Sequence, residues 1–262
     1  MDRNENLLYI LRTLTDEQTE YAALKIPGTL PERQQLMRAL QNVRHPLPVS
    51  EDFLRAQDAE LKQQLTDKGI VSLADIEPCH ADNRLRIWQG DITRLRVDAI
   101  VNAANSALLG CFVPMHRCID NAIHSAAGVQ LRLACHRIMQ AQGHPEPTGQ
   151  AKITEGYNLP TRYVLHTVGP IVRGGRLLPK HEQELADCYR SCLALADAHS
   201  LQSIAFCCIS TGEFGFPQQR AAEIAVATVN GYLDATAATH IQSVIFNVFK
   251  DEDLSIYRNI LA

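Results

Sequence analysis

The sequence predicts a three-layer α/β domain with a mixed, largely parallel sheet, preceded by a helical extension. After residue 80, short apolar runs alternate with longer segments of helical periodicity, which is typical of strands connected by helices. Before that point the chain has helical patterns and prolines but no strand-like run. We therefore divide the 262 residues into an extension, residues 1–80, and a main domain, residues 81–262.

The extension contains an apolar start and two further helical patterns. These patterns are PERQQLMRALQNVR and SEDFLRAQDAELKQQLTDKG, and Pro27, Pro31, Pro46 and Pro48 punctuate them. No chemical motif stands out in this part of the chain. Its function stays open at this point.

The main domain is predicted to alternate strands and helices along its whole length. In chain order we expect strands Leu85–Trp88 and Val97–Val101, a loop over 105–118, a helix from Asp120 to Gln142, strands Lys152–Gly156 and Tyr163–Val168, a helix over Glu182–His199, strand Ser203–Ile209, a helix over 218–234, strand 241–248 and a last helix after Asp251. In such sheets, ligands bind where the carboxyl ends of the strands lead into loops.

Composition and charge narrow the classes of function. Hydrophobic residues make up 46% and charged residues 21%, as in an ordinary soluble globular protein. The net charge of -4 and the lack of a basic, aromatic-rich stripe disfavour nucleic acid and anionic membranes as partners. An anionic ligand must then be held locally, by backbone N–H groups, helix ends or a metal.

Location and cysteine state follow from what the sequence lacks. The N-terminus MDRNENLLYILRTL does not resemble a signal peptide, and no stretch approaches the ~20 apolar residues of a membrane span. We therefore expect a cytoplasmic protein. Its eight cysteines are then expected to be thiols or metal ligands rather than disulfides.

A glycine-containing loop directly follows the strand predicted at 203–209. It comprises Ser210, Thr211, Gly212, Glu213, Phe214, Gly215 and Phe216, with Pro217 at the start of a helix. Glycines allow positive φ and close approach of a ligand, and the N–H groups of a helix start attract anions. The loop suits a diphosphate, but an ordinary strand-to-helix turn has the same pattern.

Polar residues follow the first two strands of the main domain. Asp91 could accept a bond from an exocyclic amine or a loop N–H, and Asn102 and Asn105 could bind sugar hydroxyls. Asp and Asn also bond their own backbone in turns. Taken singly, these residues fit turn chemistry better.

Three potential metal ligands lie within eight residues of the next loop: Cys111, His116 and Cys118. Sulfur and imidazole favour zinc, and three protein ligands leave one tetrahedral position open, as in catalytic sites. The alternative is a loop with buried cysteines and a surface histidine. Asp120 follows at a plausible helix-cap position, and His124 fits a helix face better than a catalytic base.

Five ordered motifs, GDIT, VNAAN, IDNAIHSAAG, YVLHTVGP and ISTGEFGFP, resemble those of the macrodomain family over residues 84–262. The insertion GCFVPMHRC resembles the zinc-dependent macrodomain class, which also carries an N-terminal helical extension. The resemblance implies a macrodomain fold, ADP-ribose binding, and zinc-dependent hydrolysis of mono-ADP-ribose from protein side chains. It also implies a linkage to acidic residues.

The resemblance assigns roles to individual residues. Asp91 would bond the adenine amino group and Ile92 would supply a backbone donor. The loop from Ser210 to Phe216 would hold the diphosphate, Asn105 would contact the distal ribose, and Phe216 would pack near that sugar. Cys111, His116 and Cys118 would bind Zn²⁺, Asp120 would be the catalytic aspartate, and Phe249 is a further candidate for packing on the adenine. Glu213 departs from the aliphatic residue of many macrodomains.

The mechanism that the resemblance implies is hydrolysis at the anomeric carbon of the distal ribose, with Asp120 orienting or deprotonating the attacking group. A non-enzymatic reader of ADP-ribosylated proteins, with a purely structural zinc, is the alternative, because fold alone does not decide function.

Overall fold

A computed structural model of the chain describes residues 2–21 and 23–262. Its main sheet contains β2 (Leu85–Gln89), β4 (Ala99–Ala104), β5 (Ala151–Glu155), β6 (Tyr163–Val168), β7 (Ser203–Phe206) and β8 (Ser243–Val248). The strand order is β2-β8-β7-β4-β6-β5, and only the β5–β6 pair is antiparallel. The short strands β1 (Val71–Ser72) and β3 (Leu95–Arg96) form a separate parallel pair.

Helices cover both sides of the main sheet, which gives the three predicted layers. They are α4 (Ile119–Ala127), α5 (Val129–Gln142), α6 (Pro179–Ala198), α7 (Gln218–Ala235) and α8 (Asp251–Ile260). The interior strands β6 and β8 are mostly apolar and almost wholly buried, as expected for a parallel sheet covered on both faces. The sheet therefore forms the core, and its loops are free to build a site.

The extension folds into α1 (Arg3–Asp16), α2 (Leu30–Val43) and α3 (Glu51–Lys68). Leu7, Leu11, Met37 and Phe53 form a second apolar core, which Val129 of the main domain joins. The sequence places residues 70–80 in the extension, yet Ile76 packs in the main core.

Buried polar groups cross the border between the two cores. Gln57 of α3 is fully buried, and its Oε1 accepts a hydrogen bond from the Val129 N–H at 3.0 Å. Its Nε2 donates to Oε1 of Gln130 at 2.7 Å. Gln57 thus caps the start of α5 from outside the main domain.

Three expectations about elements are corrected. The helix predicted from Asp120 to Gln142 is broken at Gly128, whose φ of +92° ends α4 and begins α5. The strand predicted at Val97–Val101 lies at Ala99–Ala104, so Asn102 lies within it. The stretch before Asp82, predicted to lack strands, contributes β1. This strand has two residues, which are too few to give a recognisable strand pattern in the sequence.

Among the described residues, no helix combines the length and apolar character that a membrane span requires.

Candidate functional site

A cavity of about 1230 Å³ opens where the strands of the main sheet end. Residues just beyond the carboxyl ends of β2, β4, β6, β7 and β8 all contribute to it: Gly90, Asn105, Gly169, Cys207 and Phe249. The predicted site residues that line it are Asp91, Ile92, Asn105, Cys111, His116, Cys118, Asp120, Ser210, Thr211, Gly212, Glu213 and Phe214. The parallel topology explains this convergence, since it brings the loops to one edge.

Asp91 lies at one end of the cavity, before a 3-10 turn over Ile92–Arg94. Its Oδ1 accepts hydrogen bonds from the N–H and hydroxyl of Thr93, at 3.1 and 2.6 Å. Its Oδ2 lies 3.4 Å from Nζ of Lys68 in α3 and accepts no other hydrogen bond within residues 2–21 and 23–262. One oxygen is therefore fixed by the turn, and the other can accept a bond from a ligand. Phe249 is 77% exposed beside the same cavity.

The loop from Ser210 to Phe216 offers unpaired donors. Within residues 2–21 and 23–262, the N–H groups of Gly212, Glu213 and Phe214 donate to no protein acceptor. Successive unpaired N–H groups are the donors from which proteins build anion sites. The buried hydroxyl of Ser210 also has no protein partner among the described residues. These donors fit a diphosphate without any cationic side chain.

The backbone of this loop corrects two expectations. The left-handed residues are Ser210 (φ +65°) and Gly215 (φ +67°), whereas Gly212 does not have positive φ. Phe216, expected near the distal sugar, is 2% exposed and lies in the main core, so the loop's aromatic side chain at the cavity is Phe214.

The metal loop, residues 111–118, brings its three candidate ligands together. One ligand atom from each of Cys111, His116 and Cys118 lies within 4.8 Å of the others. The Sγ of Cys111 and the Nδ1 of His116 are 3.5 Å apart. All three side chains are partly exposed toward the cavity. Two thiols and an imidazole at this spacing fit a zinc ion with one position open to a ligand.

Asp120 lies in the first turn of α4 and is 5% exposed. It is not the cap residue that the sequence predicts, because Cys118 occupies that position and its Sγ accepts from the Asn121 N–H. Oδ1 of Asp120 accepts from Asn102 Nδ2 at 2.8 Å. Burial raises the pKa of Asp120 to about 6, against the opposing effects of the Asn102 bond and the charge of Arg132. A carboxyl held in this way can exchange a proton near neutral pH.

The two asparagines of VNAAN have different environments. Asn105 borders the cavity, and its Nδ2 donates to the carbonyl of Gly110 at 3.1 Å and lies 3.5 Å from Oδ2 of Asp120. Asn102, which the sequence left open between a sugar hydroxyl and turn chemistry, is fully buried and bonded to Asp120. The register of β4 against β6 also places it opposite His166. Only Asn105 can reach a ligand.

A second group of possible metal ligands, His124, Cys135 and His166, is buried behind Asp120. His166 is already committed to hydrogen bonds, with Asn102 on Nδ1 at 3.2 Å and Thr154 on Nε2 at 2.9 Å. Burial lowers the pKa of His166 to about 4 and the pKa of His124 well below its ordinary value. His124 is therefore neutral, and its 3.4 Å contact with Asp120 is not an ion pair.

Glu213 does not point into the diphosphate loop. Its side chain is 71% exposed, and Oε1 lies 3.6 Å from Nε2 of His116. Solvent hydrates the carboxylate, so its repulsion of a nearby anion is small.

The extension supplies a wall of the cavity that the sequence did not predict. Gln34, Gln35 and Arg38 of α2 and Gln64, Leu65 and Lys68 of α3 contribute to it. Arg38 contacts His116, 78 residues further along the sequence, and Lys68 contacts Asp91, 23 residues further along. No short motif records such contacts, so spacing alone could not have revealed them.

Comparison with known proteins agrees with this architecture. The Macro domain family model matches residues 101–225. The chain is 50% identical over 252 residues to "Protein-ADP-ribose hydrolase" of Staphylococcus aureus (strain MSSA476), covering 96% of this chain and 93% of the relative. It is 48% identical over 264 residues to a protein of the same name from Treponema medium, with complete coverage of both chains.

Solved structures match as well. A Trypanosoma brucei macrodomain in complex with ADP-ribose has a TM-score of 0.65 and 31% identity, over 82% of this chain and 92% of its own. A mutant macrodomain of Oceanobacillus iheyensis with ADPR has a TM-score of 0.60 and 40% identity, over 67% of this chain and 90% of its own. With the site's geometry, these relationships show that the chain belongs to the macrodomain family.

Proposed function

We propose that the chain removes mono-ADP-ribose from modified protein side chains by hydrolysis, and that the reaction needs a zinc ion on the metal loop. The observation that carries this proposal is the proximity of Asp120 to the three-ligand loop at one cavity. A protein that only reads ADP-ribose needs neither a carboxyl poised to exchange protons nor an open metal position. Relatives at 48–50% identity are named protein-ADP-ribose hydrolases.

The cavity suits ADP-ribose from one end to the other. Oδ2 of Asp91 would accept from the adenine amino group, and Phe249 would cover the base. The free N–H groups of residues 212–214 would bind the diphosphate. Asn105 would then face the distal ribose, between the diphosphate and Asp120. This order places the anomeric carbon near Asp120 and the metal loop.

Cys111, His116 and Cys118 would hold the zinc ion. A zinc ion with three protein ligands supplies Lewis acidity at its open position. Asn102 and Asn105 hold the carboxyl of Asp120 toward the cavity. Asp120 would take a proton from the attacking water as the water oxygen forms a bond to the anomeric carbon.

The bond from the anomeric carbon to the side-chain oxygen breaks in the same reaction. A carboxylate leaving group keeps that electron pair and needs no proton to depart, so an ester to an acidic side chain suits a site with a single carboxyl acid–base group. Neutral His124 and His166 lie behind Asp120 and supply no second acid. The products are ADP-ribose and the free side chain.

The test follows free ADP-ribose released from an automodified ADP-ribosyltransferase target, with untreated protein, chelator-treated protein and chelator-treated protein given zinc again. We expect release, loss of release and recovery, in that order. Full release after complete removal of zinc would leave a metal-independent hydrolase. No release by any preparation, together with binding of ADP-ribose, would support the reader.

A further inference from the structure

We propose that helix α2 of the extension is part of the metal site, with Asn42 and Arg38 as positioning residues that hold the metal loop. This inference rests on the proposed zinc site and extends it to residues that contact no ligand atom of the ion. It gives the extension a specific role in the chemistry of the main domain.

Asn42 joins the extension to the metal loop and to α4 of the main domain. It is 1% exposed, and its Oδ1 accepts a hydrogen bond from the N–H of Met115 at 3.0 Å. Its Nδ2 donates to Oγ of Ser125 in α4 at 2.9 Å. Met115 directly precedes His116 and has a φ of +57°, a conformation uncommon for a residue with a side chain. The bond from Asn42 therefore holds the residue of the loop that has this uncommon backbone conformation.

Arg38 holds the next residue of the loop. Its Nη2 donates to the carbonyl oxygen of His116 at 3.3 Å and to Oδ1 of Asn121 at 2.9 Å. Asn121 in turn donates from Nδ2 to the carbonyl oxygen of Val113 at 3.1 Å. Side chains of α2 and α4 thus bond the loop backbone at three positions around the proposed histidine ligand.

Burial contributes little to the order of this part of the loop. The side chains of Val113 and Met115 are 54% and 39% exposed. Phe112 is also 37% exposed, although the guanidinium of Arg132 lies 4.4 Å from its ring centroid. Because apolar packing does not fix residues 113–116, polar bonds from α2 and α4 hold this part of the loop, together with the loop's own bond from the His116 N–H to the Val113 carbonyl at 3.2 Å. Groups that orient metal ligands typically change metal affinity by about 10- to 100-fold when removed.

The test compares Asn42→Ala and Arg38→Met with Asn6→Ala in the full-length chain. Asn6 is the matched control, since it also donates one side-chain bond, to the carbonyl of Ala56 at 2.7 Å, but entirely within the extension. Three properties are measured on each protein: zinc affinity by competition with a chromogenic chelator, thermal unfolding, and hydrogen exchange at the Met115 amide. Arg38→Met keeps the unbranched apolar stem of a side chain that is only partly buried, so it tests the inference even where Asn42→Ala fails to fold.

We expect zinc affinity to fall about tenfold or more in Asn42→Ala and Arg38→Met and to be unchanged in Asn6→Ala. The Met115 amide should exchange faster in Asn42→Ala alone. Equal zinc affinity in all four proteins, or a loss that merely follows the lowered unfolding temperature in Asn6→Ala as well, would overturn the inference. If the wild-type chain binds no zinc, the proposed metal site fails. Faster Met115 exchange in Asn42→Ala would then still show that α2 holds the loop, and unchanged exchange would refute it.

Discussion

The two carboxylate oxygens of Asp91 have different partners. Oδ1 accepts two hydrogen bonds from Thr93, whereas Oδ2 faces the cavity, 3.4 Å from Nζ of Lys68. A short acceptor in GDIT could be recognised in the sequence. The different partners of its two oxygens could not be recognised there, because Lys68 belongs to the extension.

Asp91→Ala should weaken ADP-ribose binding by about 1–3 kcal/mol, or about 5- to 150-fold in Kd, since the adenine amino group loses its buried acceptor. Asp91→Asn provides the matched variant, because its amide oxygen can still accept from Thr93 while an NH2 group faces the adenine. Calorimetry should show a loss for both variants. Unchanged affinity in a folded Asp91→Ala protein would reject the adenine assignment.

Cys118 and Asp120 are two residues apart but have separable tasks. Cys118→Ser should lose most of the zinc and the hydrolysis while α4 stays capped, because serine is a strong N-cap residue. ADP-ribose binding should survive, weakened mainly at the distal ribose. Asp120→Ala should retain the zinc and lose turnover.

Metal content, ADP-ribose affinity and ADP-ribose release are measured on the same preparations of both variants. Full hydrolysis by zinc-free Cys118→Ser would exclude the metal from the mechanism. Full hydrolysis by Asp120→Ala would exclude Asp120 as the acid–base group.

At the scale of the element, the diphosphate loop depends on one backbone conformation. Gly215 has a φ of +67°, and a Cβ added there would lie 3.1 Å from the carbonyl oxygen of Val172. Val172 also donates its N–H to the carbonyl of Phe214 at 2.8 Å. A side chain at Gly215 therefore strains the loop and pushes it away from its neighbour.

Gly215→Val should abolish detectable ADP-ribose binding, because the free N–H groups of residues 212–214 would no longer point at one anion. The matched control is Gly231→Val, at an exposed position of α7 where an added Cβ meets no atom within 4 Å. Calorimetric titration should show normal affinity in the control. Normal affinity in Gly215→Val would mean that the diphosphate lies elsewhere.

Helices and strands with a clear pattern of apolar residues were predictable, and interruptions of that pattern were not. The apolar run from Tyr163 to Val168 matches β6 residue for residue. The helix predicted from Asp120 to Gln142 missed its break, since Gly128 within a helical pattern is compatible with either outcome. A Cβ at Gly128 would lie 2.6 Å from Nε2 of Gln57. The break therefore makes room for α3, which local periodicity cannot register.

At the scale of the whole molecule, buried histidines make stability depend on pH. The pKa of His166 is lowered by burial to about 4, and the pKa of His124 is also lowered. Between pH 6.5 and 4 the unfolded chain therefore binds protons that the folded chain does not, and stability falls as the pH falls. Asp120, with its raised pKa, acts in the opposite direction below pH 6.

The contribution of His166 should be about 1.4 kcal/mol of unfolding free energy per pH unit in this window. Chemical denaturation of His166→Gln, followed from pH 7 to 4, should show a slope shallower than the wild type by about that amount. The exposed His144→Gln is the control and should keep the wild-type slope. Parallel slopes for wild type and His166→Gln would show that His166 is not held neutral.

The division of the molecule shows where a sequence stops being informative. Five short motifs around single loops were enough to indicate the fold and a large part of the cavity lining. The extension contributes through Arg38, Asn42 and Gln57, which look like ordinary polar residues on helices. Their importance depends on partners 72–83 residues away, and one sequence cannot show such pairs.

The polar border between α1–α3 and the rest of the molecule has a consequence for biosynthesis. The extension leaves the ribosome first, but the partners of Asn42, and the Val129 and Gln130 partners of Gln57, lie in residues 115–130. At about 5–20 residues per second, the nascent chain waits several seconds for them. Until residues 115–130 cover them, these side-chain amides can hydrogen-bond to water. The polar border between the extension and the metal loop is therefore completed only after α5 emerges.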